Sequence, residues 1–208
     1  MRARQDAVAE TRLRITEATM RLHERVGPAA TTVSAIAEEA GVTRLTVYRH
    51  FPDEDALVGA CGQHWGGLHP RPDVTAWGDV EHPIRRLQLA LAETYAWCRI
   101  AAPMMTKIHR DLDAMPAFVR EFLDDDERTR VAALADGFGG GATPQLKAVL
   151  AHALHLRTWE SLCLAGGLTH EEAIDVMTAA VLAATAKPAA PSRPAAPSAV
   201  RTSPRRPL

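Results

Sequence analysis

The side chains best equipped for chemistry cluster in residues 43–50, TRLTVYRH, which hold two arginines, a tyrosine, a histidine and two threonines. At helical spacing Leu45, Tyr48 and Arg49 turn away from Val47 and Phe51, and Arg44 stands at the start of the same turn. A guanidinium offers a planar fork to paired acceptors, and hydroxyl or imidazole groups bond phosphate oxygens. That chemistry recognises an anionic, acceptor-rich surface; it makes and breaks no bond. The signals that would point to catalysis are weaker. Residues 137–141, GFGGG, follow a helical pattern rather than a strand and precede no lysine, so they read as a loop and not a phosphate cradle. Asp124, Asp125, Asp126 and Glu127 sit mid-helix between Phe122 and Val131 as a solvated face. His152 and His155 stand three apart, with His109 elsewhere, but no Cys or carboxylate stands beside them at ligand spacing. The chain is therefore expected to hold no catalytic residue, no metal and no cofactor. Cys61, Cys98 and Cys163 are odd in number and set in apolar helical contexts, which predicts reduced, buried thiols.

The elements that would position residues 43–50 are written just ahead of them, within TTVSAIAEEAGVTRLTVYRHF, residues 31–51. Val33, Ile36, Ala37 and Ala40 recur at three- and four-residue steps and give one apolar stripe to a helix too short to stand alone. Thr32 is placed to accept a first-turn N–H, and Gly41 to end the helix in the left-handed conformation. Thr43 offers the next N-cap. Val47 and Phe51, one turn apart, then face back onto the first helix. Two short helices joined at Gly41, with a polar outer face on the second, suit entry into a DNA major groove.

On these residues the chain resembles the TetR family of bacterial one-component repressors. Thr32, Val33, Ile36, Ala37, Ala40, Gly41, Val42, Thr43, Val47, Tyr48, His50 and Phe51 all fit the family's amino-terminal pattern in register. The close resemblance covers about the first quarter of the chain; beyond Leu57 only helix content and order are similar. It implies DNA contacts through Thr32, Val33, Val42, Thr43, Arg44, Leu45, Tyr48, Arg49 and His50. Arg44 and Arg49 are the candidate base readers, Arg44 through guanine O6 and N7. Thr43, Tyr48 and His50 would hold phosphate or sugar and fix the register. Two positions depart from the family. Leu45 stands where a glycine or other small residue is common, which reads either as contact with a thymine methyl or as a plain surface leucine. Glu54 stands where the family tends to carry a phosphate-directed lysine, and with Asp53 and Asp55 it instead complements a helix start.

Upstream, Val8, Thr11, Ile15, Ala18, Leu22 and Val26 predict a third helix ending at Gly27 and Pro28. Its other face is basic, through Arg12, Arg14, Arg21 and Arg25, and Arg2 and Arg4 form an arm that could reach a minor groove. The chain has 208 residues and a formal net charge of −1. Lys187, Arg193, Arg201, Arg205 and Arg206 stand without an acid among them in the final stretch, so the body is net acidic and DNA binding must be local. That stretch is rich in proline, alanine and serine and is expected to be a disordered tail. The start has no apolar leader segment and no stretch approaches a membrane span, which predicts a cytoplasmic protein with no membrane partner.

The expected fold is all-α with about nine helices. A helix-turn-helix domain spans 1–52, a ligand-binding and dimerisation domain 53–187, and the tail 188–208. Helices of the body are expected over 53–66, 82–101, 103–111, 116–136, 144–165 and 170–186, with Thr169 and Glu172 as a capping box. In the family such helices enclose a mainly apolar cavity. Candidate lining residues are Trp65 and Leu68 on the first of them, Leu91 and Tyr95 on the next, then Met105 and His109, Phe118 and Phe122, and lastly His155, Trp159 and Cys163. The last two long helices carry more apolar surface than one stripe needs, which predicts a homodimer through a four-helix interface. The reading is a dimeric repressor that binds a pseudo-palindromic double-stranded operator and is released by a small apolar or aromatic effector. Alternatives are a ligand-independent regulator, an activator, or a helical-bundle enzyme or carrier.

Overall fold

A computed structural model describes residues 2–139 and 142–185; the expected tail over 188–208, the end of the last helix and Gly140 and Gly141 lie outside the described residues. Among the described residues the fold is all-α, with ten α-helices and no strand. The first is α1, Arg2–Arg25. The apolar stripe of α1 buries Ile15, Ala18 and Leu22, while Val8 and Val26 at its ends are exposed. The expected amino-terminal arm is the helical start of α1, exposed over residues 3–10.

Next come α2, Val33–Ala40, and α3, Arg44–His50. Both start as their sequences dictate: Thr32 accepts from Ala35 N and Thr43 from Thr46 N. Gly41 takes φ 65°, so that its N–H reaches the Glu38 carbonyl and the Val42 N–H the Ala37 carbonyl. These paired closures satisfy the last carbonyls of α2. Side chains from α1 reinforce the joint. Arg14 donates to the Ala40 carbonyl at 3.2 Å, Arg12 to the His50 carbonyl at 2.6 Å, and Arg21 and Arg25 both hold Glu39 at 3.0 Å. The arginines of α1 that read as one basic face thus act largely as struts to α2 and α3.

The fourth helix, α4, Glu54–Leu68, opens on Asp53, whose carboxylate accepts from Ala56 N. It joins two separate cores. Leu57 packs with Ile15, Ala18, Leu22, Ile36, Val47 and Phe51, whereas Trp65 belongs to the larger core of the body. After α5, Val74–Gly78, the chain enters α6, Pro83–Arg110. Sequence reasoning splits α6 at Pro103, because proline has no N–H and starts helices well. The helix runs through: Pro103 faces solvent while Ala101, Met104, Met105 and Ile108 continue the buried face. Tertiary packing outweighs one missing backbone bond.

Then follow α7, Ala117–Ala135, and α8, Pro144–Leu154, capped by Thr143. A single helix over 144–165 is expected, but it breaks at His155, whose backbone is extended at ψ 139°. The His155 ring caps the restart, accepting from Arg157 N at 3.0 Å. Helix α9, Leu156–Trp159, then widens into a π-helical turn, Glu160–Ala165. The last helix, α10, His170–Thr185, begins with Thr169 and Glu172 bonded reciprocally, as their spacing predicts. Of the apolar residues on the last two long stretches, Leu146, Leu150, Ala153, Leu156, Met177 and Val181 are buried within the subunit, Val149 and Ile174 are half-buried, and Leu164 and Leu182 are exposed. No helix among the described residues is long and apolar enough to cross a membrane.

Candidate nucleic-acid interface and interior cavity

The inner face of α3 is sealed: Val47 and Phe51 are 1% and 2% exposed. Its outer face is open, with Leu45 78% and Tyr48 47% exposed and Arg44 and Arg49 exposed beside them. Thr43 and Thr32, the two N-caps, and the half-buried Val33, Val42 and His50 frame that face. The residues named from sequence for DNA contact therefore lie on and around one helix. A guanidinium from α1 sets the base of α3, since Arg12 stacks over the Phe51 ring at 4.1 Å. Burial, with Arg49 and Arg12 close by, holds His50 below the usual histidine range, so the imidazole is neutral near pH 7. Glu54 is exposed in the first turn of α4, next to its cap.

Beneath this unit lies a cavity of about 580 Å³ walled by α1, α4, α6 and α7. That size suits a drug-sized molecule. Of the residues named from sequence, Trp65, Met105, Phe118 and Phe122 line it. A smaller cavity of about 220 Å³ adjoins it and takes in His109 and His155, whose rings are 5.3 Å apart. Burial pushes the His109 pKa down to about 4.

Leu68, Leu91, Tyr95, Trp159 and Cys163 line neither cavity. Leu68, the last residue of α4, is 55% exposed. Leu91 and Tyr95 are fully buried, and the Tyr95 hydroxyl donates to the Ala153 carbonyl at 3.1 Å. Trp159 donates to His170 Nε2 at 3.1 Å. These are core contacts between α6, α8, α9 and α10. The break at His155 separates what one straight helix would have kept together.

Sequence reasoning missed His23, Cys61, Met115 and Arg71 on the cavity wall. The first two lie on the faces assigned to helix packing, and Arg71 sits in the loop after α4. His23 and Cys61 face each other at 3.8 Å, and burial carries the pKa of the imidazole down to about 4 and of the thiol up to about 12. Both are uncharged at neutral pH. Among the described residues no three His, Cys, Asp or Glu come together to hold a metal ion.

The joint between the two units is specific. Asp111, at the end of α6, accepts from Ala29 N at 3.1 Å, and Arg110 donates to the Val26 carbonyl at 2.9 Å. Gly27 lies against this pair with φ 93°, where a Cβ would collide with the Arg110 guanidinium and the Asp111 carboxylate.

A three-helix unit that exposes the polar face of its third helix, carried on a helical body with an apolar cavity, defines a helix-turn-helix transcriptional regulator. The family model described as bacterial regulatory proteins, tetR family, matches residues 15–61. The whole fold is similar to that of a TetR-like transcriptional regulator from Rhodococcus sp. RHA1, at 16% identity and TM-score 0.58 over 83% of this chain and 93% of that one. It is also similar to a TetR transcription regulator from Haloarcula marismortui, at 17% identity and TM-score 0.53 over 85% of this chain and 97% of that one. Among curated proteins, none matches the sequence. Residues 15–61 thus form an amino-terminal domain of the tetR type, and the chain as a whole is similar in fold to regulators that carry that domain.

Proposed function

We propose that the protein is a dimeric repressor that holds a pseudo-palindromic operator through α3 of each subunit and releases it when a mainly apolar effector enters the cavity. What supports this most is the double duty of α4: Leu57 belongs to the core of the reading unit, while Val58, Cys61 and Trp65 line the cavity. A ligand that shifts α4 shifts the reading unit with it. A second route runs along α6, where Met104, Met105 and Ile108 line the cavity and Arg110 and Asp111 grip residues 26–29 just beyond. Effector and operator then oppose each other reciprocally, with a coupling of about 1 to 3 kcal/mol that weakens operator binding about 5- to 150-fold.

Arg44 and Arg49 read base edges, while Thr32, Thr43, Tyr48 and His50 hold phosphate or sugar, with Val33, Val42 and Leu45 packed at the groove wall. The outward row of α10, with Val176 47% and Leu182 37% exposed among alanines, and Leu164 at 65% after α9, supplies the surface for the second subunit. Two copies would set their α3 helices one DNA turn, about 34 Å, apart or farther. Replacing Arg44 by alanine costs operator binding about 1 to 3 kcal/mol. The deciding experiment is selection of bound duplexes from a random pool by the full chain: a twofold-symmetric motif is expected. Retention of no duplex even at low salt would overturn the proposal and revive an enzyme or carrier of the same fold.

A further inference from the structure

Arg71 occupies the partition between the two cavities and lines both. Its guanidinium is stacked on Trp97 at 4.5 Å and lies 5.5 Å from the Phe122 ring, with its side chain 22% exposed. One hydrogen bond holds it among the described residues, Nη1 to Asp126 at 2.9 Å, although a guanidinium carries five N–H donors. Arg130 leans on the same carboxylate oxygen at 2.9 Å, off the line of its N–H, so that contact is an ion pair rather than a hydrogen bond. Two guanidiniums thus share the Asp126 carboxylate, and most of the Arg71 donors have no partner among the described residues; Asp124 and Glu127 line the smaller cavity and not the larger one.

The rest of the larger wall is electrically quiet. Among the described residues it holds no Asp, Glu or Lys, and Arg71 is its one permanent charge. His23 and Cys61 are neutral there, and of the acids near them Asp111 is paired with Arg110 while neither it nor Glu24 lines the cavity. In so apolar a space a stray cation would find no partner, whereas a carboxylate meets a preformed fork. Met104, Met105 and Met115 give the remaining wall an adaptable apolar lining.

We infer that the effector is an apolar molecule ending in a single carboxylate, its head group on the free edge of the Arg71 guanidinium and its body against Met104, Met105, Ile108 and Phe118. This deepens the effector reading above and rests on it. The test titrates the full chain, without DNA, with decanoate, decanol and decyltrimethylammonium, read by tryptophan fluorescence and calorimetry. Decanoate is expected to bind roughly 10- to 100-fold tighter than decanol, and the ammonium weakest. Arg71→Gln should bring decanoate and decanol to equal affinity. Equal affinities in the unsubstituted protein, a preference for the ammonium, or binding of none of the three would overturn the inference, and these outcomes do not depend on how the variant folds. Retention of the full preference by a folded Arg71→Gln protein would overturn it as well. Decanoate that binds without weakening operator affinity would sink the switch and leave the ligand class standing. Release of operator by decanol as readily as by decanoate would do the reverse.

Discussion

The reading unit and the body treat their helix ends and interiors differently. In the unit, α2, α3 and α4 each start on a bonded cap, α2 closes on Gly41, and arginines from α1 tie the joint. Its inner side chains are sealed, with Ile15, Ala18, Ile36, Val47 and Phe51 each 2% exposed or less. In the body, α6 tolerates a proline, α8 breaks at His155, α9 ends in a π-helical turn, and a cavity of about 580 Å³ remains. Irregular helices and unfilled space cost packing energy, and they are what a site that must accept a variable apolar guest requires. A reader of fixed DNA geometry needs the opposite, a face held still by a filled interior.

The sharpest break of this contrast is Phe51→Ala. Removing a ring that is 2% exposed in the small core should cost about 3 to 5 kcal/mol. Phe118→Ala, at a cavity-wall residue already 38% exposed, should cost under about 1 kcal/mol. Denaturant unfolding with hydrogen exchange would show the first loss confined to α1–α3. Similar costs for both would mean the two interiors are equally packed.

Acid should act where the units meet. Burial lowers His23 to about 4, against the ordinary value of 6.5 in the unfolded chain. The unfolded state then binds the proton first, so stability falls as pH drops from about 6.5 to about 4, by on the order of 2 to 3 kcal/mol. His109, also lowered to about 4, loses stability in the same window. His23→Gln should flatten its share of that slope in unfolding free energies measured across the range; an unchanged slope would place the histidine in water.

Gly41→Ala isolates backbone strain. Its Cβ would meet nothing within 4 Å, so the left-handed φ of 65° alone sets a cost of about 1 to 2 kcal/mol, readable as a lowered Tm. Asp111→Asn probes the joint and should reduce effector–operator coupling by about 0.5 to 2 kcal/mol, measured as the ratio of operator affinities with and without ligand. Unaltered coupling would assign all transmission to α4.

The reading unit was legible because its signals are local: Thr32, Gly41, Thr43 and Asp53 close helix ends only a few residues away, and Val47 and Phe51 follow a single period. The cavity was legible only in part. Trp65, Met105, Phe118 and Phe122 line it, but Tyr95 and Trp159 proved to be core residues hydrogen-bonded across helices. Whether a buried aromatic faces a void or a neighbour depends on how helices cross, and the break at His155 and the continuity of α6 through Pro103 reset those crossings. Arg71 carried no periodic signal at all, being in a loop that folds back onto Trp97.

The central claim is that the outward side of α3 reads sequence. The direct measurement is the affinity of the full chain and of Arg44→Ala for every single-base variant of the duplex that the protein selects. Loss of preference at one base position in each half-site, with the other positions still discriminated, is the result expected. A uniform weakening across all variants, or no change at any, would contradict it.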